Sequence, residues 1–276
     1  METKKLERII LLILILMNLF LLYIVRSDAA AQRRARNETV ELLTAMLAEN
    51  GIEAGQEAEL YQSAPSQCTV VRNFEQEEQR IRRLIGKHSS EDLGGSIRYY
   101  RSEQGQASLR GTGEFDLLLE SNQVERTRSP EIAAAGLFKK AGIELYTEDM
   151  HYAPGPDHID LCCCWKGYPV YNAVLGFDFS PERLDLVSGT LIFSEETSVG
   201  AAAPMDSATV LTRFVTLTKT EGIICSRLER LTPGYLMEVT MSGESTLTPV
   251  WHIQTDTVEL YLNALTGQPE TLESAA

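Results

Sequence analysis

Residues Ile9 to Val25 form a run of seventeen residues without a charge, in which Asn18 is the one amide side chain. At 1.5 Å per residue a helix of this length is about 26 Å long, close to the roughly 30 Å hydrocarbon core of a bilayer. The run lies between Lys4, Lys5 and Arg8 on one side and Arg26 on the other. Two readings stand. Ala29-Ala30-Ala31 offers a small-residue cleavage site, as in a secretory signal. Against that, the run is longer than the roughly 7 to 15 residues of a signal core, and Tyr23 and Arg26 sit where interface anchors belong, which favours a retained anchor over residues 9–25. Positive charges on both sides leave its orientation open. Asn18 is either neutral there or hydrogen-bonds to a partner helix.

The rest of the chain must be judged without this segment. Residues 37–276 carry 18 Lys+Arg against 36 Asp+Glu, a net charge of −18. Such a body is repelled by phosphate backbones and anionic lipid, which argues against nucleic-acid binding. The cysteines, Cys68, Cys162, Cys163, Cys164 and Cys225, are odd in number and three are adjacent. Adjacent cysteines bridge one another only under strain, so the pattern is not a disulfide framework, and a Cys68 to Cys225 bridge is the one pairing left open.

Along the chain, Val40, Leu43 and Leu47 recur with helical spacing up to Asn50-Gly51. Asn73 with Gln76 opens a second helix through Ile81, Leu84 and Ile85, stopped by Gly86. A loop around Ser89 to Gly95 precedes β-like runs at 96–102 and 108–119. Ser129-Pro130-Glu131 starts a third helix that ends at Gly142, followed by strands at 159–165, 169–179 and 184–193. After a linker at 194–204, Asp206 caps a fourth helix that Gly222 stops. The remainder reads as a four-strand meander at 223–231, 235–241, 248–255 and 258–265, with Pro233-Gly234 as a turn. Three helices end on Gly-Ile (Gly51-Ile52, Gly142-Ile143, Gly222-Ile223) and pass into extended chain, an order that implies duplicated α+β units.

His151, His158 and Cys162 to Cys164 are the one cluster with metal-ligand chemistry. A Pro154-Gly155-Pro156 loop lies between the histidines, but the spacing matches no zinc pattern and free cysteines commonly fill cores. There is no G-x-S-x-G, and Gly111-Thr112-Gly113 and Gly94-Gly95 lack the Lys-Ser/Thr of a phosphate loop. The acidic residues read as a solvated surface rather than a glycosidase pair. No catalytic residue, metal or cofactor is assigned, and Trp251, Tyr261 and Phe177 fall on alternating strand positions that read as core.

Five segments carry a family resemblance. They are Asn18-Leu19-Phe20-Leu21-Leu22-Tyr23, Glu49-Asn50-Gly51-Ile52, Gly167-Tyr168-Pro169-Val170-Tyr171-Asn172 with Phe177, Pro249-Val250-Trp251-His252-Ile253, and Tyr261-Leu262-Asn263-Ala264-Leu265-Thr266-Gly267. Together they resemble the YycI/YycH regulators of a Gram-positive cell-wall two-component system, and the last is similar to the end of PepSY-type modules. The resemblance implies a non-enzymatic, single-pass membrane protein with residues 1–8 in the cytoplasm, a transmembrane helix at 9–25 and a juxtamembrane spacer at 26–36. Outside the cell it implies an α+β fold of duplicated, PepSY-like helix plus antiparallel β-meander units: a first unit at 37–125, and a second region at 126–276 with two helix-meander repeats. Expected partners are a sensor histidine kinase, met through Asn18, Phe20 and Tyr23, a companion YycH-like protein forming a heterodimer, and the membrane. The competing reading is an anchored or secreted PepSY-like module that binds peptide or cell-wall polymer.

Overall fold

The computed structural model describes residues 2–55, 58–120, 130–147, 157–192, 194–239 and 244–272, without the side chains of 2–13, 21, 23–32, 194 and 195. The chain divides into two compact units, Met1–Ala54 and Gly55–Ala276.

The first unit is helix α1 (Glu2–Glu49), 48 residues long, and the short strand β1 (Glu53–Ala54). The expected helix up to Asn50 is the carboxy-terminal part of α1. Gly51 adopts φ 76°, Gly51 N–H donates to Ala48 O and Ile52 N–H to Leu47 O, both at 3.0 Å. These two bonds make a Schellman cap, which satisfies the last helical carbonyls and needs a left-handed residue at its centre. Among the described residues no helix is long and apolar enough to cross a membrane. The expectation of a single-pass membrane protein, with a cytoplasmic amino terminus and an extracellular carboxy-terminal domain, is corrected on that finding, which does not bear on crossing by strands.

The second unit runs β2 (Cys68–Arg72), α2 (Phe74–Ile85), β3 (Ser89–Gly94), β4 (Ile97–Arg101), β5 (Gly105–Leu109), β6 (Glu114–Leu119) and α3 (Pro130–Lys140). It continues with β7 (Leu145–Tyr146), β8 (His158–Trp165), β9 (Tyr168–Phe179), β10 (Leu184–Thr190) and β11 (Ser194–Val199). After α4 (Ser207–Glu221) come β12 (Arg227–Val239), β13 (Glu244–Thr255), β14 (Glu259–Asn263) and β15 (Pro269–Glu270). The helix starts follow their side chains: Asn73 Oδ1 accepts from the amides of Glu75 and Gln76, and Asp206 Oδ1 from that of Thr209. Ser129, expected to open α3, lies outside the described residues.

The main path of the sheet is β11-β2-β13-β12-β9-β10-β6-β5-β4-β3, with β14 and β15 joined through β13, and β7 and β8 through β9. Its pairs are antiparallel except where β12 meets β9 in parallel at Tyr235 and Val170. The junction is β9, whose residues 175–179 pair with β10 while Val170 near its start meets β12. This continuity overturns the expected fold of duplicated, PepSY-like helix plus antiparallel meander units, because strands assigned to separate units share one mixed sheet. The recurring Gly-Ile has a local cause. At the end of α3, Gly142 N–H donates to Lys139 O at 3.0 Å and Ile143 N–H to Phe138 O at 2.9 Å, the same Schellman pair as at Gly51. The dipeptide marks helix ends, not repeats.

The largest core cluster brings α2 and α3 together with the central strands. Phe138 of α3 meets Phe115 of β6 edge-to-face at 6.3 Å and Phe177 of β9 at 5.3 Å. Trp251 and Phe177 are fully buried and Tyr261 nearly so, as the alternation along their strands implies.

Candidate functional site

The core claims only one face of the strands from β8 to β4. Ile159, Leu161, Phe177, Val187, Leu117 and Ala107 point into it, so the residues between them must point the other way. The registers line these up in two rows. One is Tyr99–Ser108–Asp116–Ser188–Gly176–Asp160, and the other Arg101–Gln106–Leu118–Leu186–Asp178–His158. Most of these side chains are polar, and Leu118 is 45% exposed. They bond among themselves: Ser108 Oγ donates to Asp116 Oδ2 at 3.3 Å, Gln106 Nε2 to Glu120 Oε1 at 3.0 Å, and Tyr99 Oη to Gln106 Oε1.

The most constrained group on this face is His158. Its Nδ1 lies 2.6 Å from Asp178 Oδ1 and its Nε2 lies 3.0 Å from Asp160 Oδ1. A neutral imidazole has one N–H, so only the protonated ring donates to both carboxylates. The bond to Asp178 accordingly holds the pKa of His158 above its ordinary value, with Asp160 adding to the effect against partial burial. Gly176 makes room for the ring: a Cβ there would come within 2.8 Å of His158 Cε1. The arrangement favours a protonated ring on the face of the sheet turned away from the core.

The His and Cys cluster of the sequence, to which no metal was assigned, is not brought together among the described residues. His151 and the Pro154-Gly155-Pro156 loop lie outside the described residues, and His158 is engaged by the two aspartates. Cys163 is buried in the core, where its Sγ donates to Thr190 O at 3.5 Å and desolvation pushes its thiol well above the usual range. A thiol held neutral is neither a ligand nor a nucleophile. Cys162 points elsewhere, towards Tyr171 O at 3.9 Å. Among the described residues no group of His, Cys, Asp and Glu could hold a metal ion. Cys68 and Cys225 are free thiols, so the bridge left open by the sequence is not formed.

Of the expected contact residues, Asn18 is exposed on α1, with its Nδ2 donating to Leu14 O at 2.9 Å, and Phe20 is 61% exposed. The side chain of Tyr23 lies outside the described residues.

Two polar groupings escaped the sequence reading. Glu77 is fully buried in α2; its carboxylate takes Arg72 Nε at 2.6 Å and Nη2 at 2.9 Å, and accepts from Tyr100 Oη at 2.6 Å. Arg72 also reaches the Leu109 carbonyl at 3.2 Å, so the group ties β2, α2, β4 and β5 together. Desolvation, then the Glu77 hydrogen bond, raises the pKa of Tyr100. The polar face of α2 gave no sign that one glutamate turns inward. Elsewhere His252, 3% exposed, is stacked on Tyr261 at 4.8 Å, and its Nε2 lies 2.6 Å from Glu259 Oε1. Its Nδ1 has no hydrogen-bond partner. No nucleophile is positioned by either grouping, and both read as structural.

No family model matches the chain, and no curated protein matches it. Among solved structures it is similar to an uncharacterized protein from Eubacterium rectale ATCC 33656, at 10% identity over 80% of this chain and 90% of that one, with a TM-score of 0.45. It is also similar to the Bacillus megaterium YpeB C-terminal domain, at 9% identity over 73% of this chain and 96% of that one, with a TM-score of 0.40. At these values neither likeness carries an argument about function.

Proposed function

We propose that the chain is a non-enzymatic regulator of a two-component sensor histidine kinase, the role implied by its resemblance to the YycI/YycH regulators. The observation that carries the proposal is the apolar stretch of α1. Between Leu14 and Leu22 the apolar side chains described are all 48–61% exposed, with Asn18 among them. A contiguous apolar surface of this kind suits a contact with another protein, and an Asn within it can fix the register of a facing helix. Biasing a two-state kinase needs a differential contact energy of only ~1 to 3 kcal/mol, within reach of one helix. The acidic body supplies the surface for a YycH-like companion.

The test uses the full chain. It is purified from cell extract in detergent, the co-purifying proteins are identified, and autophosphorylation of a co-purifying kinase is followed with wild type and with Leu16→Glu/Phe20→Glu. Wild type should change the rate by about fivefold or more, and the variant should not. The proposal fails if no histidine kinase co-purifies, or if wild type and variant act alike. A second reading, a module that binds peptide or cell-wall polymer, is favoured by the polar sheet face. Binding of soluble cell-wall glycopeptides that is lost in Asp116→Lys/Asp178→Lys would support it.

A further inference from the structure

The sheet ends at β3, all six of whose residues are exposed. Its inner edge pairs with β4, with Ser89 opposite Arg101, Glu91 opposite Tyr99 and Asp92 opposite Arg98. No described strand pairs with its outer edge. The register with β4 is regular from Ser89 to Asp92 and shifts before Gly94, so about 13 Å of regular backbone edge is presented, whose outward N–H and C=O groups are a template for another strand. Leu93, 57% exposed, adds an apolar side chain at the same place.

Charge decides what can pair there. A second copy of β3 laid antiparallel in the register that pairs all six residues would set Glu91 against Asp92 twice, about 4.5 to 5.5 Å apart, where like charges repel. On the inner side β4 sets Arg98 opposite Asp92 and Arg101 opposite Ser89, so the one strand that β3 pairs with brings basic residues to its acidic ones. A basic strand on the outer edge gives β3 the same complement on its other side. Glu91 and Asp92, being adjacent, project to opposite faces, and an incoming strand with two adjacent basic residues answers both.

We infer that the free edge of β3 takes up an extended segment of a partner protein, bearing adjacent lysines or arginines, as an added strand. Main-chain hydrogen bonds then supply affinity, and the charged pairs select the sequence. This inference does not depend on the role given to α1.

The experiment titrates the full chain with a capped octapeptide that has Lys-Lys at its centre between valines and threonines. A Glu-Glu version and two N-methylated versions, blocked on alternate residues in either phase, serve as comparisons. Amide hydrogen exchange should slow within 89–94 only when a binding peptide is present. The Lys-Lys peptide should bind about tenfold or more tightly than the Glu-Glu peptide, and Glu91→Lys/Asp92→Lys should reverse the order. One N-methylated phase should bind and the other should not, because a strand edge uses alternate amides. Protection elsewhere, equal binding of both N-methylated peptides, or pairing of β3 with itself in the absence of peptide would each overturn the inference.

Discussion

His158 has an imidazole with a carboxylate at each nitrogen and a glycine beneath it. The folded-state pKa is raised, so the stabilisation is fully present below the unfolded value of about 6.5 and is lost as pH rises through the raised value. Thermal melts of wild type should therefore lose stability relative to His158→Gln as pH rises above about 6.5, with the gap closing at the alkaline end. A constant gap would show that the proton is not held by the two aspartates. The ring is partly exposed, so the effect should shrink in high salt. Little of this was legible beforehand. The histidine and aspartates stand in the sequence, but Asp178 lies 20 residues from His158 and meets it only through the β8–β9 register, which a bulge between Cys162 and Cys163 interrupts.

Pro233-Gly234 shows how far an element can depart from its local signal. The dipeptide reads as a turn, yet it lies within β12, a 13-residue strand, with Pro233 opposite Trp251 and Gly234 opposite Val250. The glycine is there for clearance. A Cβ on it would meet Tyr171 Cε2 at 2.5 Å and the Pro169 carbonyl oxygen at 2.7 Å. Gly234→Ala should thus destabilise the protein by about 1 to 3 kcal/mol in urea unfolding, whereas alanine in an open turn with negative φ would be nearly neutral. Tyr171→Leu should recover part of the loss, because it removes one of the two clashes. Other elements divide along the same line. The helix of Asn73 and Gly86 and the strand of Tyr171 to Phe179 were legible because caps and alternation are local. β3 and β11 were read as loop and linker, since a polar strand at a sheet edge has no apolar period to reveal it.

At the scale of the molecule the question is whether Gly55–Ala276 behaves as separate units or as one sheet. Separate helix-meander units would each bury their own core and could melt independently. The hydrogen-bonded path from β11 to β3 instead passes without a break through β12, β9 and β10, with Phe138 packed between Phe115 and Phe177. Loss of β9 would leave β10 paired only with β6 and β12 without its β9 partner, so free energy lost in one half is felt in the other. The chain's two tryptophans lie on different strands of the sheet: Trp165 at the end of β8 and Trp251 in the middle of β13, with Trp251 Nε1 donating to Met205 O at 3.0 Å. Urea unfolding followed by fluorescence in Trp165→Phe and in Trp251→Phe should give coincident transitions once each variant's midpoint is referred to its own circular dichroism curve. Phe138→Ala, which removes a fully buried ring at a cost of about 3 to 5 kcal/mol, should shift both reporters together. If Trp165 moved and Trp251 stayed, the strands around β13 would be a unit of their own, and the sheet would be continuous in hydrogen bonding but not in cooperativity.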